Sequence, residues 1–168
     1  QAVTGSIDDA LKLGCSAIGF TIYPGSEHNL SLIEEFQSLS HEAKAKGMAV
    51  VLWAYARGSD ISKKGETAMN IISYAAHMSA LLGANIIKVK LPSDFLEEDP
   101  TKEAFENNKI SINTLKDRVA HIKKVTFEGK RLVVFSGGDA KDDDALMKEI
   151  KAIHEGGGNG SIIGRNCF

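Results

Sequence analysis

Two lysines in one apolar segment are the residues of this sequence best suited to covalent chemistry. Lys88 and Lys90 lie within 83–92, where β-branched residues predict a buried strand. Side chains two positions apart on a strand project to the same side, so the two ammonium groups would lie together. Loss of one proton would relieve that repulsion and leave a neutral amine, which is a nucleophile for carbonyl carbon. Alternatively, both lysines reach solvent from the strand end and pack only their stems.

A pair of aromatic residues could assist such an amine. Trp53 and Tyr55 end the apolar segment 49–55 and, being two positions apart, share one face of the predicted strand. A phenol can transfer a proton, and an indole can exclude water from a reacting group. The alternative is that both side chains belong to the core.

Two segments near the C-terminus are suited to phosphate. Ser136, Gly137 and Gly138 follow one apolar segment and precede a predicted helix, so their backbone N–H groups could approach an anion closely. Gly164 and Arg165 follow the last apolar segment, and a guanidinium matches phosphate geometry. The five residues together predict a phosphate site.

Alternating strands and helices must position these residues. Apolar segments predict strands at 17–23, 49–55, 83–92, 131–135 and 161–164. Helical spacing and caps predict helices at 7–13, 29–46, 66–82, 114–125 and 142–154, with an irregular loop at 93–113. Because each strand is apolar throughout, we expect a parallel α/β sheet buried on both faces, whose strand ends carry the ligand site.

Two architectures fit this pattern, a doubly wound five-stranded sheet and part of a (β/α)8 barrel. The sequence opens within a helix and stops after a strand, which favours the barrel. With 168 residues, one domain covering 1–168 is expected.

Composition narrows the class of partner. The net charge is −2, which offers no basic surface for nucleic acid or an anionic membrane, and no apolar run is long enough to span a bilayer. We therefore expect a cytoplasmic protein that acts on small molecules. Cys15 and Cys167 are predicted to be reduced packing thiols, and the five histidines lack ligand spacing, so no metal site is predicted.

Taken together, these motifs resemble class I fructose-bisphosphate aldolases of the archaeal and bacterial type, which are Schiff-base enzymes. The segments that carry the resemblance are 14–19, 23–26, 53–55, 83–90, 135–138 and 156–166. The resemblance implies a (β/α)8 TIM barrel, of which this chain holds about five βα units, strands four to eight. Three earlier strands, the first with a catalytic aspartate, and the final helix would be absent.

The same resemblance implies a role for each candidate residue. Lys88 would form the imine, Tyr55 would transfer protons with Trp53 as its companion, and Lys90 would favour the free amine of Lys88. The phosphate site would consist of the residues Ser136, Gly137, Gly138, Gly164 and Arg165.

The activity implied is the reversible cleavage of fructose 1,6-bisphosphate to dihydroxyacetone phosphate and glyceraldehyde 3-phosphate, in glycolysis or gluconeogenesis. It would need no metal or cofactor beyond the lysine imine, and the whole protein would be a homo-oligomer. One alternative is a related Schiff-base aldolase such as an aminodeoxyheptulosonate synthase. Another is a noncatalytic fragment that binds phosphosugars.

Overall fold

The computed structural model describes residues 4–138 and 140–164 and shows a parallel sheet connected by helices. The strands are β1 Ala17–Ile22, β2 Ala49–Ala54, β3 Ile86–Val89, β4 Leu132–Ser136 and β5 Gly160–Ile162. The α-helices are α1 Ile7–Lys12, α2 Asn29–Ala45, α3 Met69–Leu81, α4 Asp99–Asn107, α5 Leu115–Val125 and α6 Asp143–Glu155. A short 3₁₀ helix at Gly65–Thr67 precedes α3. Within the described ranges, no helix combines the length and apolar character needed to cross a bilayer.

Local hydrogen bonds explain why several helices begin where the sequence predicts. The Ser6 hydroxyl accepts from the Asp9 N–H at 3.0 Å and caps α1. Thr114 and Asp117 form a capping box at the start of α5, each side chain accepting the other's backbone N–H. The Asp142 carboxylate likewise caps α6. The helices and strands predicted from the sequence are therefore confirmed, with bounds that shift by a few residues.

The strand order excludes the doubly wound sheet, one of the two architectures that fit the sequence. The strands follow the chain as β1-β2-β3-β4-β5, and each neighbouring pair is parallel. A doubly wound sheet requires the order to reverse at a switch point, and this sheet has no reversal. The helix α1 packs on α2, α3 on α5, and α5 on α6, and the fully buried strand residues alternate, so the helices form a layer on one face of the sheet.

The core lies between that helical layer and the sheet. Alternate strand residues point into it and are fully or almost fully buried: Phe20, Ile22, Val50, Leu52, Ile87, Val89, Val133 and Phe135. The residues between them are half-buried or exposed, and Leu132 and Ile162 are each 48% exposed. In the described residues the helices therefore cover one face of the sheet, and the other face, which carries Lys88, is half-buried or exposed.

The segment 93–113, predicted to be an irregular loop, contains the helix α4. Pro100 lies in its first turn, where a missing N–H costs little. None of its residues is buried, and Ala104 and Phe105 are its apolar residues apart from the proline. The prediction failed because two adjacent apolar residues make no repeating helical pattern.

Candidate active site

Lys88 lies on the sheet face that the helical layer leaves uncovered. The strand register places it beside Trp53 of β2 and Val134 of β4. Its ammonium nitrogen is 5.9 Å from the centre of the Tyr55 ring, and the side chain is half-buried. The structure thus brings together the three residues that the sequence singles out for proton and carbonyl chemistry.

Trp53 reaches across β1 and lays its ring over Gly19, which is two residues before Thr21, the register partner of Trp53. A Cβ atom at Gly19 would lie 2.1 Å from Cζ3 of the Trp53 ring, far inside van der Waals contact. Gly19 was not predicted as a site residue, although a glycine inside a strand often marks such a close approach. The orientation of the indole beside Lys88 therefore depends on Gly19.

Replacing Gly19 by alanine should displace the Trp53 ring. Overpacking of this kind costs about 1–3 kcal/mol, and the ring is expected to turn toward solvent. Trp53 is the sole tryptophan of the sequence, so intrinsic fluorescence reports its position directly. We expect emission from Gly19→Ala to shift to longer wavelength. Gly5→Ala is the matched control, since its added Cβ meets nothing within 4 Å. An unchanged spectrum for Gly19→Ala would contradict the ring placement.

Lys90 is not the unpaired neighbour of Lys88 that the sequence suggests. Its ammonium donates to Glu66 at 2.6 Å, and Lys63 approaches the other oxygen of the same carboxylate at 2.9 Å. The hydrogen bond from Lys90, followed by that from Lys63, lowers the pKa of Glu66 to about 2. The carboxylate is ionised at neutral pH, and the premise of two uncompensated ammonium groups is wrong.

A cavity of about 600 Å³ opens beyond the carboxyl ends of β3, β4 and β5. Four of the five residues predicted to bind phosphate line it: Ser136, Gly137, Gly138 and Gly164. The fifth, Arg165, lies outside the described residues. Lys63 and Lys90 line the same cavity. The structure therefore places two lysines beside the predicted phosphate residues, one of which, Lys63, the sequence did not indicate.

Gly137 contributes to this cavity in a way that differs from the prediction. Its N–H donates to the Ile162 carbonyl at 3.0 Å and so joins β4 to β5. A Cβ atom at Gly137 would come within 3.2 Å of the Ile163 Cα atom. Its absent side chain lets β5 approach β4, and this N–H is engaged within the sheet.

The segment that carries Lys63 and Glu66 is fixed to the chain that follows β3. The Thr67 carbonyl accepts from the Ser93 N–H at 2.7 Å and from the Ser93 hydroxyl at 3.0 Å. The Glu97 carboxylate accepts from the backbone N–H and the hydroxyl of Ser62, at 2.9 and 2.8 Å. These contacts join residues 26 and 35 positions apart, so no local pattern could predict that Glu66 belongs to this site.

Among residues 4–138 and 140–164, no group of three His, Cys, Asp or Glu side chains could hold a metal ion. Cys15 is exposed, so its predicted role as a packing thiol is wrong, and Cys167 lies outside the described residues.

This chain is similar to known aldolases in sequence. A family model described as DeoC/LacD family aldolase matches residues 2–168. The class 1 fructose-bisphosphate aldolase of Halobacterium salinarum is 31% identical over 168 residues, which are 100% of this chain and 54% of that protein. The Thermoproteus tenax enzyme of the same name is 31% identical over 97% of this chain and 53% of its own length.

A solved structure extends the similarity to the fold. It is an archaeal fructose-1,6-bisphosphate aldolase whose catalytic lysine is covalently bound to the carbinolamine intermediate of the substrate. It superposes with a TM-score of 0.75 at 30% identity, over 98% of this chain and 56% of that one. The chain thus spans about half the length of the relatives it matches.

Proposed function

The chain belongs to the DeoC/LacD family of aldolases, and from this premise we propose that the protein carrying it is a class I fructose-bisphosphate aldolase. One observation carries the proposal: the Lys88 amine lies 5.9 Å from the Tyr55 ring centre, on the face that leads to the cavity at the strand ends. The covalent lysine intermediate of the archaeal aldolase is the chemistry that this arrangement suits.

The proposed reaction begins at the ketone of fructose 1,6-bisphosphate. The neutral Lys88 amine adds to C2, and Tyr55 donates the proton with which the carbinolamine hydroxyl leaves as water, which gives an iminium ion and a Tyr55 phenolate. That phenolate takes the proton of the C4 hydroxyl as the C3–C4 bond breaks, and the bonding electrons pass to the iminium, which becomes an enamine. Glyceraldehyde 3-phosphate leaves first. Protonation at C3 and hydrolysis then release dihydroxyacetone phosphate and restore the amine, and the imine serves as electron sink without a metal.

The phosphate groups of such a substrate would bind beyond the strand ends. Ser136, Gly138 and Gly164 line the cavity there, and its volume suits a phosphorylated sugar. Arg165 is proposed as a further phosphate ligand from its position next to Gly164 in the sequence. A bound phosphate would hold the ketone near Lys88, so the amine would attack a carbonyl carbon that is already positioned in the complex.

We also propose that the five strands correspond to strands four to eight of a single-domain (β/α)8 barrel. The continuous strand order and the single helical layer support this, because a barrel carries its helices on the outer face of the sheet. The half-buried face with Lys88 would then be the inner face. A cytoplasmic location remains the expectation from composition, and a homo-oligomer remains the expectation from the family resemblance.

Trapping of the imine tests the proposed function. The intact protein is incubated with dihydroxyacetone phosphate and sodium borohydride, which reduces an imine to a stable secondary amine. We expect peptide fragmentation to locate the adduct on Lys88, with no adduct when substrate is omitted. An adduct found on Lys90 alone would refute the site assignment, and no adduct at all would refute the Schiff-base mechanism.

A further inference from the structure

Lys90 shares a strand face with Lys88 but lies closer to the cavity at the strand ends. The register pairs Lys88 with Val134, so Lys90, two residues further, lies near Ser136 at the mouth of the cavity. Its ammonium turns toward Glu66, and the side chain is 22% exposed. The group therefore lines the cavity that the predicted phosphate residues share.

The charges at this cavity favour an anion. Among its described lining residues the charged ones are Lys63 and Lys90, and both contact the same carboxylate of Glu66. Two positive charges against one negative charge leave one positive charge at the cavity. Because Glu66 largely cancels the field of Lys90, an electrostatic effect of Lys90 on Lys88 is weakened.

Resting on the proposed function, we propose that Lys90 is a ligand of the substrate phosphate, with Lys63 as a weaker second cation. Each ammonium has three donor hydrogens, so both lysines can bond a phosphate oxygen while they remain bonded to Glu66. Glu66 is the positioning residue: it directs two lysines from different segments toward one cavity. The role proposed for Lys90 thus differs from the one implied by the resemblance: it binds the substrate phosphate and does not act on the Lys88 amine.

Lys63 should contribute less than Lys90. Its side chain is 90% exposed, whereas that of Lys90 is 22% exposed. A solvent-exposed lysine loses more conformational freedom when it is fixed by a ligand, and its charge is screened by water. We expect about a twofold to threefold loss of phosphate affinity in Lys63→Met, because exposed ion pairs contribute little binding free energy.

Binding of inorganic phosphate to the intact protein tests the role of Lys90 without any imine chemistry. A charge-assisted hydrogen bond is worth enough to weaken binding about tenfold when it is removed, so Lys90→Met should raise the dissociation constant by that factor. Lys90→Arg keeps the charge and should bind within about threefold of wild type. The matched control is Lys102→Met, because Lys102 is also bonded to a carboxylate, that of Asp99 at 2.6 Å, away from this cavity.

Two ketones separate phosphate binding from activation of the nucleophile. Borohydride trapping is measured with dihydroxyacetone phosphate and with dihydroxyacetone, which lacks the phosphate. We expect the preference of Lys90→Met for the phosphorylated ketone to fall about tenfold, while Lys102→Met keeps the wild-type preference. An equal loss with both ketones would show that Lys90 acts through Lys88 and would overturn the proposal.

Phosphate binding and imine trapping together distinguish failure of the role proposed for Lys90 from failure of the proposed function. Wild-type phosphate affinity in Lys90→Met overturns the role of Lys90, even if imine trapping on Lys88 succeeds. Absence of any trapped imine in the wild type refutes the aldolase mechanism, whereas weakened phosphate binding in Lys90→Met would still support the lysine site. If Lys90→Met does not fold, a weakened phosphate affinity in Lys63→Met supports the site and an unchanged one refutes it.

Discussion

Lys88→Met should abolish the aldolase activity of the intact protein. Methionine keeps much of the length and apolar stem of lysine but cannot form an imine, so the covalent route is lost. Removal of a covalent nucleophile commonly costs four to six orders of magnitude in rate, and we expect roughly 10⁴-fold or more in kcat for fructose 1,6-bisphosphate cleavage. The same variant should give no adduct in borohydride trapping.

Lys88→Arg keeps a long side chain that ends in nitrogen but removes the amine. Its guanidinium stays protonated at neutral pH, so it cannot attack a ketone. We expect Lys88→Arg to be as inactive as Lys88→Met. Circular dichroism and inorganic phosphate affinity near wild type would show that both variants fold. More than a tenth of the wild-type activity in either one would exclude Lys88 as the nucleophile.

Gly58→Ala should give the largest loss of stability among glycine substitutions in the two loops that follow β1 and β2. Gly58 has φ of +148°, and a Cβ atom there would lie 1.8 Å from the carbonyl oxygen of Gly25. Backbone atoms cannot move aside as a flexible side chain can. Steric overlap and strain together should lower the free energy of unfolding by about 3–5 kcal/mol. Urea unfolding followed by circular dichroism measures this as a lower midpoint.

Gly14→Ala is the matched control for backbone conformation alone. Gly14 also has positive φ, +74°, but a Cβ atom there meets nothing within 4 Å. We expect a cost of about 1 kcal/mol, from the left-handed conformation only. Equal unfolding midpoints for the two variants would show that the loops after β1 and β2 do not make the close contact described.

Much of the site followed from local pattern. The two-residue period of a strand places Trp53 with Tyr55, and Lys88 with Lys90, on shared faces, and the structure shows both pairs on the half-buried side of the sheet. The phosphate residues came from their position after strands, because parallel strands bring their carboxyl ends to one edge.

Contacts between distant segments were beyond the reach of those patterns. The helix α4 has too few apolar residues to show a repeating pattern. The need for glycine at position 19 became clear only from the structure, where the Trp53 ring of the next strand lies over it.

By itself, the sequence determined the order of strands and helices, their caps, and the lysine and aromatic residues that share a face. These features depend on capping hydrogen bonds and on the periodic direction of side chains, both of which involve residues a few positions apart. Only the tertiary structure decided that Lys90 bonds Glu66, 24 residues earlier, and that Lys63 joins the same cavity. Such pairs form because strand register and loop packing bring together charges that are distant in sequence. A pattern of neighbouring residues cannot predict these contacts.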